Sequence, residues 1–169
     1  MLLNLETVPN FYKNYVKQID ETDLLQALRI SGHRALELLH AISEDKADFR
    51  YAPEKWTIRE VLCHMIDAER IFAYRALRFA RKDKTPLASF EENDYATQAN
   101  ASGRGLQKIA AEMGHVRSST IDLFESFTPE MLLRKGTSGT SELSVMALGF
   151  IIAGHETHHC QILKERYLA

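Results

Sequence analysis

Apolar residues recur three and four positions apart through most of the chain, the spacing that gathers them on one face of an α-helix. From 24 to 42 the stripe is Leu24, Leu25, Leu28, Ala35, Leu38, Leu39 and Ile42, with Thr22 placed to cap its start. Gly32 falls inside this stretch and lowers its helical stability a little. A second stripe runs to about Lys82 through Val61, Leu62, Met65, Ala68, Ile71, Phe72, Ala76 and Phe79. Thr57, followed three residues later by Glu60, forms a capping box at its start. A third spans about Arg104 to Phe127, with Leu106, Ile109, Ala110, Met113, Val116, Ile121, Leu123 and Phe124. The fourth covers about Leu143 to Tyr167, with Val145, Leu148, Ile152 and Ile162 on one side.

Shorter pieces join these four. Val8, Phe11, Tyr12, Tyr15 and Val16 predict a short amphipathic helix over 8–18. Residues 44–55 are charged, contain Pro53 and read as a loop. Residues 83–102 are polar and read as a long connection with one helical turn near Phe90 to Tyr95. A connection of this length tends to carry function or to pack across the domain. Thr128 before Pro129 marks the start of a short helix reaching about Leu133. Gly136 and Gly139 then break the chain. No strand alternation, solenoid repeat or low-complexity segment stands out, so the pattern predicts an all-α four-helix bundle with short extra helices, one domain over residues 1–169.

Composition narrows the class. The chain has 169 residues, enough for a full core, and its 45% hydrophobic and 26% charged content is ordinary for a globular domain. A net charge of −2 leaves no basic footprint for nucleic acid. Two cysteines, Cys63 and Cys160, make no disulfide framework, which points to a reduced, cytoplasmic setting. The first six residues lack the basic and apolar regions of a signal peptide. The most apolar run, 143–154, is too short to span a bilayer.

The candidate chemistry is histidine. Gly154-His155-Glu156-Thr157-His158-His159 places His155 and His159 four apart, on one helical face that continues the core-facing stripe. Two such imidazoles can hold one metal ion; equally, they can be core-edge histidines bonded to carboxylates or carbonyls. His158 lies on another face and reads as solvated or supporting. His64 falls on the stripe with Val61, Ala68 and Ile71, a third core-facing histidine on a second helix. Spacing alone does not bring His64 to the other two. His33 and His40 read as surface residues, and His115 as structural.

The stretch Lys55 to Arg70 (KWTIREVLCHMIDAER), with Phe72 to Ala80, Gly154 to His159 and Glu165 to Leu168, resembles the DinB-like superfamily, the damage-inducible bundles related to bacillithiol transferases and mycothiol-dependent isomerases. An unrelated error-prone polymerase shares the name. The resemblance covers essentially the whole chain. It implies an up-down-down-up four-helix bundle and a divalent ion held by His64, His155 and His159. The ion's identity stays open among zinc, nickel, iron and manganese, because imidazole suits several metals. Family resemblance also implies a homodimer, with Phe11, Tyr12 and Tyr15 as contact material or a cap on the bundle.

A ligating histidine usually donates its other ring N–H to a carboxylate or carbonyl. Glu60, Asp67 and Glu156 are the candidates; Glu69 reads as a surface partner of an arginine. Cys63 and Cys160 read as small core residues, and Trp56 as packing under the second long helix. No catalytic side chain is identifiable. The functional expectation is a metal-dependent enzyme that activates a thiol or a water, closest to a thiol S-transferase acting on a small molecule, with residues 83–102 the place for a low-molecular-weight thiol. A metal-dependent hydrolase and a non-catalytic stress-response module are the alternatives.

Overall fold

The computed structural model describes residues 2–169. Seven helices and one hairpin follow in order: α1 Asn10–Val16, α2 Leu24–His40, α3 Ile58–Ala80, α4 Glu92–Gln98, α5 Leu106–Glu125, α6 Pro129–Leu133, β1 Lys135–Ser138, β2 Ser141–Ser144 and α7 Val145–Ile162. The last helix relaxes into a π-turn, Leu163–Tyr167.

Four long helices form the bundle, and α2 and α3 each pack against both α5 and α7. Two apolar clusters fix their directions. Leu24 and Leu28 at the start of α2 share one cluster with Phe79 at the end of α3, Phe124 at the end of α5 and Val145 at the start of α7. Ala35 and Leu39 share the other with Ile58, Ile109 and Leu163. So α2 and α7 run one way and α3 and α5 the other, the up-down-down-up order that the resemblance implies.

Every residue of α7 from Val145 to Glu156 is buried. A helix apolar all round belongs in a core, and α1 covers the side that α2 and α3 leave open. The approach is close: a Cβ on Gly154 would sit 2.3 Å from the Tyr15 carbonyl oxygen. Only glycine lets the α1 backbone rest there.

One cluster of charge lies inside the bundle. Arg117 of α5 donates to both oxygens of Glu69 on α3 (2.9 and 2.8 Å), to the Leu28 carbonyl (2.7 Å) and to Ser31 Oγ (2.8 Å) on α2. Glu156 of α7 pairs with it at 2.8 Å. Burial opposes the charge on Arg117, but the two carboxylates outweigh it and hold the guanidinium pKa above its ordinary value. Gly32 belongs to this arrangement, since a Cβ there would lie 2.8 Å from the Arg117 side chain. Glu69 is therefore a buried partner of Arg117 and not a surface ion pair; the polar stripe that hides it reads as solvent-facing until α5 supplies the matching cation.

Several local expectations change. Asp23, not Thr22, caps α2, its side chain accepting from the Gln26 amide at 2.8 Å. The helix in the 83–102 connection is α4, shifted to 92–98. His115 is exposed on α5, as are His33 and His40. The glycine-containing break before α7 is a two-stranded antiparallel hairpin pairing Lys135 with Ser144 and Ser138 with Ser141. Its strands are four residues long and mostly polar, so no alternation marks them. The hairpin also holds the 83–91 segment: the Leu87 amide donates to the Thr137 carbonyl (2.9 Å), and the Gly139 amide to the Leu87 carbonyl (2.8 Å).

Replacing Arg117 with Leu strands two carboxylates in the core and is expected to cost about 3–5 kcal/mol. Urea unfolding measures this. Converting Glu69 and Glu156 to apolar residues of similar volume in the same protein should recover most of the loss.

Candidate metal centre

The capping box at Thr57 and Glu60 starts α3 (Glu60 amide to Thr57 Oγ1 3.2 Å, Thr57 amide to Glu60 Oε2 2.7 Å), which sets His64 two turns inside the bundle. Across from it α7 presents His155 and His159 on successive turns. His64 Nε2 lies 3.0 Å from His155 Nε2, and His159 Nε2 lies 3.1 Å from the same atom. Among the described residues this is the one group of three His, Cys, Asp or Glu side chains close enough to share an ion. The three histidines selected by the helical stripes are thus the three that meet.

Aromatic rings hold the imidazoles in place. Trp56 lies against His64 with ring centroids 4.8 Å apart, and its carbonyl accepts from the Tyr167 hydroxyl at 2.8 Å. Tyr15 stands edge-on to His155 at 5.4 Å. His158 stays outside the group, 5.1 Å from the Tyr15 ring and 3.3 Å from Gln18 Nε2.

The donor set fits a cation. An imidazole nitrogen carries either one hydrogen or one lone pair. His155 Nε2 faces two neighbours and can satisfy only one of them, whereas a shared cation satisfies three lone pairs together. Burial pushes the His64 pKa down to about 4. Burial, and then the nearby His64 and His158, take His159 to about 3. His155 falls well below its ordinary value through burial and its three histidine neighbours. The rings are therefore neutral, in their ligating form, at and well below neutral pH.

The carboxylates expected around them are engaged elsewhere. Glu60 completes the capping box, Asp67 pairs with Arg70 at 3.7 Å, and Glu156 pairs with Arg117. His64 Nδ1 is buried with no protein partner. Cys63 accepts a hydrogen bond from Arg104 Nη1 (3.3 Å), and burial raises both thiols, Cys160 to about 12. Neither belongs to the group, as their helical positions predict.

A cleft of about 260 Å³ opens onto His64 and His155. Tyr12 and Tyr15 of α1, Phe72 and Arg75 of α3, and Phe90, Glu91 and Glu92 of the long connection form much of its wall. The aromatic residues of α1 thus face the centre. Sequence reasoning missed Arg75, although its position carried a signal: eleven residues after His64 is close to three whole turns, hence the same helical face.

Fold and site together define a helical bundle with a three-histidine centre under an open cleft. The chain belongs to the DinB superfamily, whose family model matches residues 27–163. Solved structures share the fold. YfiT from Bacillus subtilis, described as a probable metal-dependent hydrolase with an unusual four-helix bundle topology, superposes with a TM-score of 0.76 at 14% identity, over 84% of this chain and 82% of its own. The mycothiol-dependent maleylpyruvate isomerase gives 0.68 at 10% identity, over 94% of this chain and 62% of its own. A protein from Streptococcus pneumoniae gives 0.63 at 15% identity, over 93% and 99%. At these identities the likeness is one of fold. No curated protein matches the chain by sequence.

The depressed histidine values link the site to stability. An unfolded histidine takes up a proton near pH 6.5, but folded His64 does so only near pH 4. Between those values the unfolded chain binds more protons, so metal-free protein should lose stability as pH falls from 7 to 4. For His64 alone the loss is about 3 kcal/mol. Urea midpoints across this range should show a shallower pH dependence in His64→Leu than in the unaltered protein.

Proposed function

We propose that the protein is a metal-dependent enzyme whose divalent ion, held by His64, His155 and His159, activates the thiol of a small-molecule substrate for S-transfer. The observation that carries this reading is the convergence of three neutral imidazole nitrogens, with two of the rings, His64 and His155, lining an open cleft. Three protein ligands with an open side are the arrangement of catalytic rather than structural zinc sites. Such an ion supplies Lewis acidity, lowering a water toward pKa 7 and ionising a thiol.

The protein's own residues favour the thiol. Water chemistry usually needs a general base beside the reacting oxygen, and Glu60, Asp67 and Glu156 are committed to other partners. A thiol needs no such base. Aromatic side chains from α1, α3 and the long connection offer an apolar wall for its carbon skeleton. The isomerase of like fold is mycothiol-dependent, which agrees with a low-molecular-weight thiol as substrate. Hydrolysis is the second reading, favoured by the description of YfiT and by Glu92. Burial, and then Glu91, raise the Glu92 carboxyl above its ordinary value, which suits a base at the cleft wall. A homodimer, on family resemblance, and a cytoplasmic setting, on the two unpaired cysteines, complete the proposal; no helix is long and apolar enough to cross a membrane.

Protein purified without an affinity tag should carry one divalent ion per chain, and His155→Ala should lose most of it by elemental analysis. Unchanged metal content in that variant overturns the ligand assignment. In cobalt-substituted protein, small thiols should produce an intense sulfur-to-metal charge-transfer band. A spectrum unmoved by saturating thiol refutes the thiol reading and leaves hydrolysis, tested by activity on ester and amide panels with Glu92→Gln as control.

A further inference from the structure

Three buried arginines show what this fold does with an interior guanidinium. Arg117 meets Glu69 and Glu156, and Arg59 meets Asp48 (2.9 Å) and Glu44 (2.7 Å). Arg75 is equally buried, at 4% exposure, yet no carboxylate among the described residues lies within ion-pairing distance. It donates to the Ala88 carbonyl at 3.0 Å, and the Tyr12 hydroxyl is its other polar partner, a neutral one. The aromatic rings of Phe72 and Phe90 flank its guanidinium carbon at 5.6 and 5.8 Å. A buried charge without a counter-charge is costly, and this one lines the cleft above the histidines.

We propose that Arg75 is the anion-recognition residue of this cleft, taking a carboxylate of the substrate whose other end reaches the three-histidine centre. This rests on the metal-dependent reading above and adds the substrate class: a small molecule with a metal-seeking group at one end and a carboxylate at the other. The span follows from the rings between them. Phe72 lies 6.0 Å from the His155 ring and 5.6 Å from the Arg75 guanidinium carbon, so that carbon is within about 12 Å of the His155 ring. The guanidinium fork offers paired N–H donors that match a carboxylate. Glu91 and Glu92 also line the cleft; both are exposed and neither pairs with Arg75. They disfavour a second anionic group at the mouth, so one carboxylate is the expected complement.

The test compares mercaptohexanoate with mercaptohexanol, which share a thiol and chain length and differ in the carboxylate. Charge-transfer titration of cobalt-loaded protein should give about ten- to hundredfold tighter binding of the acid, the range of a charge-assisted hydrogen-bonded pair. Arg75→Gln should abolish that preference while leaving metal content and the mercaptohexanol affinity unchanged, and Arg75→Lys should keep part of it. A preference that is absent in the unaltered protein, or that survives in Arg75→Gln, overturns the proposal and leaves Arg75 as a tether for the Ala88 segment. Calorimetry with adipate, which carries no thiol, separates this from the thiol reading. If thiols give no band, adipate binding that disappears in Arg75→Gln still supports the anion site, and its failure to bind the unaltered protein overturns it.

Discussion

The contact between Arg117 and its two carboxylates joins all four long helices at one point. Through it α5 reaches Leu28 and Ser31 on α2, Glu69 on α3 and Glu156 on α7. Apolar packing alone tolerates small slides of one helix along another; a buried ion pair does not, because a slide of one turn strands a charge. Glu156 is the neighbour of His155, and Glu69 sits five residues after His64. The ion-pair cluster therefore sets the relative register of α3 and α7 where the imidazoles have to meet. His64 and His155 depend on that register to within a fraction of a helical turn, since their Nε2 atoms lie 3.0 Å apart.

Around this bundle lies a second, thinner layer that turns an interior histidine cluster into a site with an approach. Gly154 lets α1 settle on α7, which brings Tyr15 edge-on to His155. The hairpin captures Leu87 along its edge, and the captured segment carries Ser89, Phe90, Glu91 and Glu92 to the cleft. The long helices α3 and α7 hold the candidate ligands, and α3 also gives the cleft Phe72 and Arg75, while the short elements close its other sides.

Helical periodicity carried the bundle and marked the three histidines as core-facing, and the family resemblance alone put His64 with the other two. His64, His155 and His159 occupy positions on apolar stripes, and the capping box at Thr57 marks where α3 begins. What the sequence did not carry depends on partners distant along the chain. Glu69 looks like a surface acid until Arg117, 48 residues on, is placed against it. The hairpin consists of polar four-residue strands with no alternation to read, and Gly32 counts as a weakness until the side chain filling its space is known. The expected carboxylates at the histidines were inferred from helical neighbours, but Asp67 and Glu156 pair with arginines and Glu60 caps its own helix.

Arg117 and Arg75 show opposite treatments of the same group in one interior. Arg117 is closed off by two carboxylates, so it contributes to structure and nothing is left to attract a ligand. Arg75 keeps its charge uncompensated beside three neutral ligands. A divalent ion held by the histidines would put a second positive charge in the cleft that Arg75 lines, and the two would repel. Neutral histidines do nothing to relieve this, and the rim acids Glu91 and Glu92 make no ion pair with Arg75. The proposed substrate, with a thiol for the ion and a carboxylate for Arg75, would cancel charge at both ends at once. On that proposal the cleft is electrostatically complete only with its ligand bound, which would tie affinity to both groups and discriminate against neutral thiols of the same size.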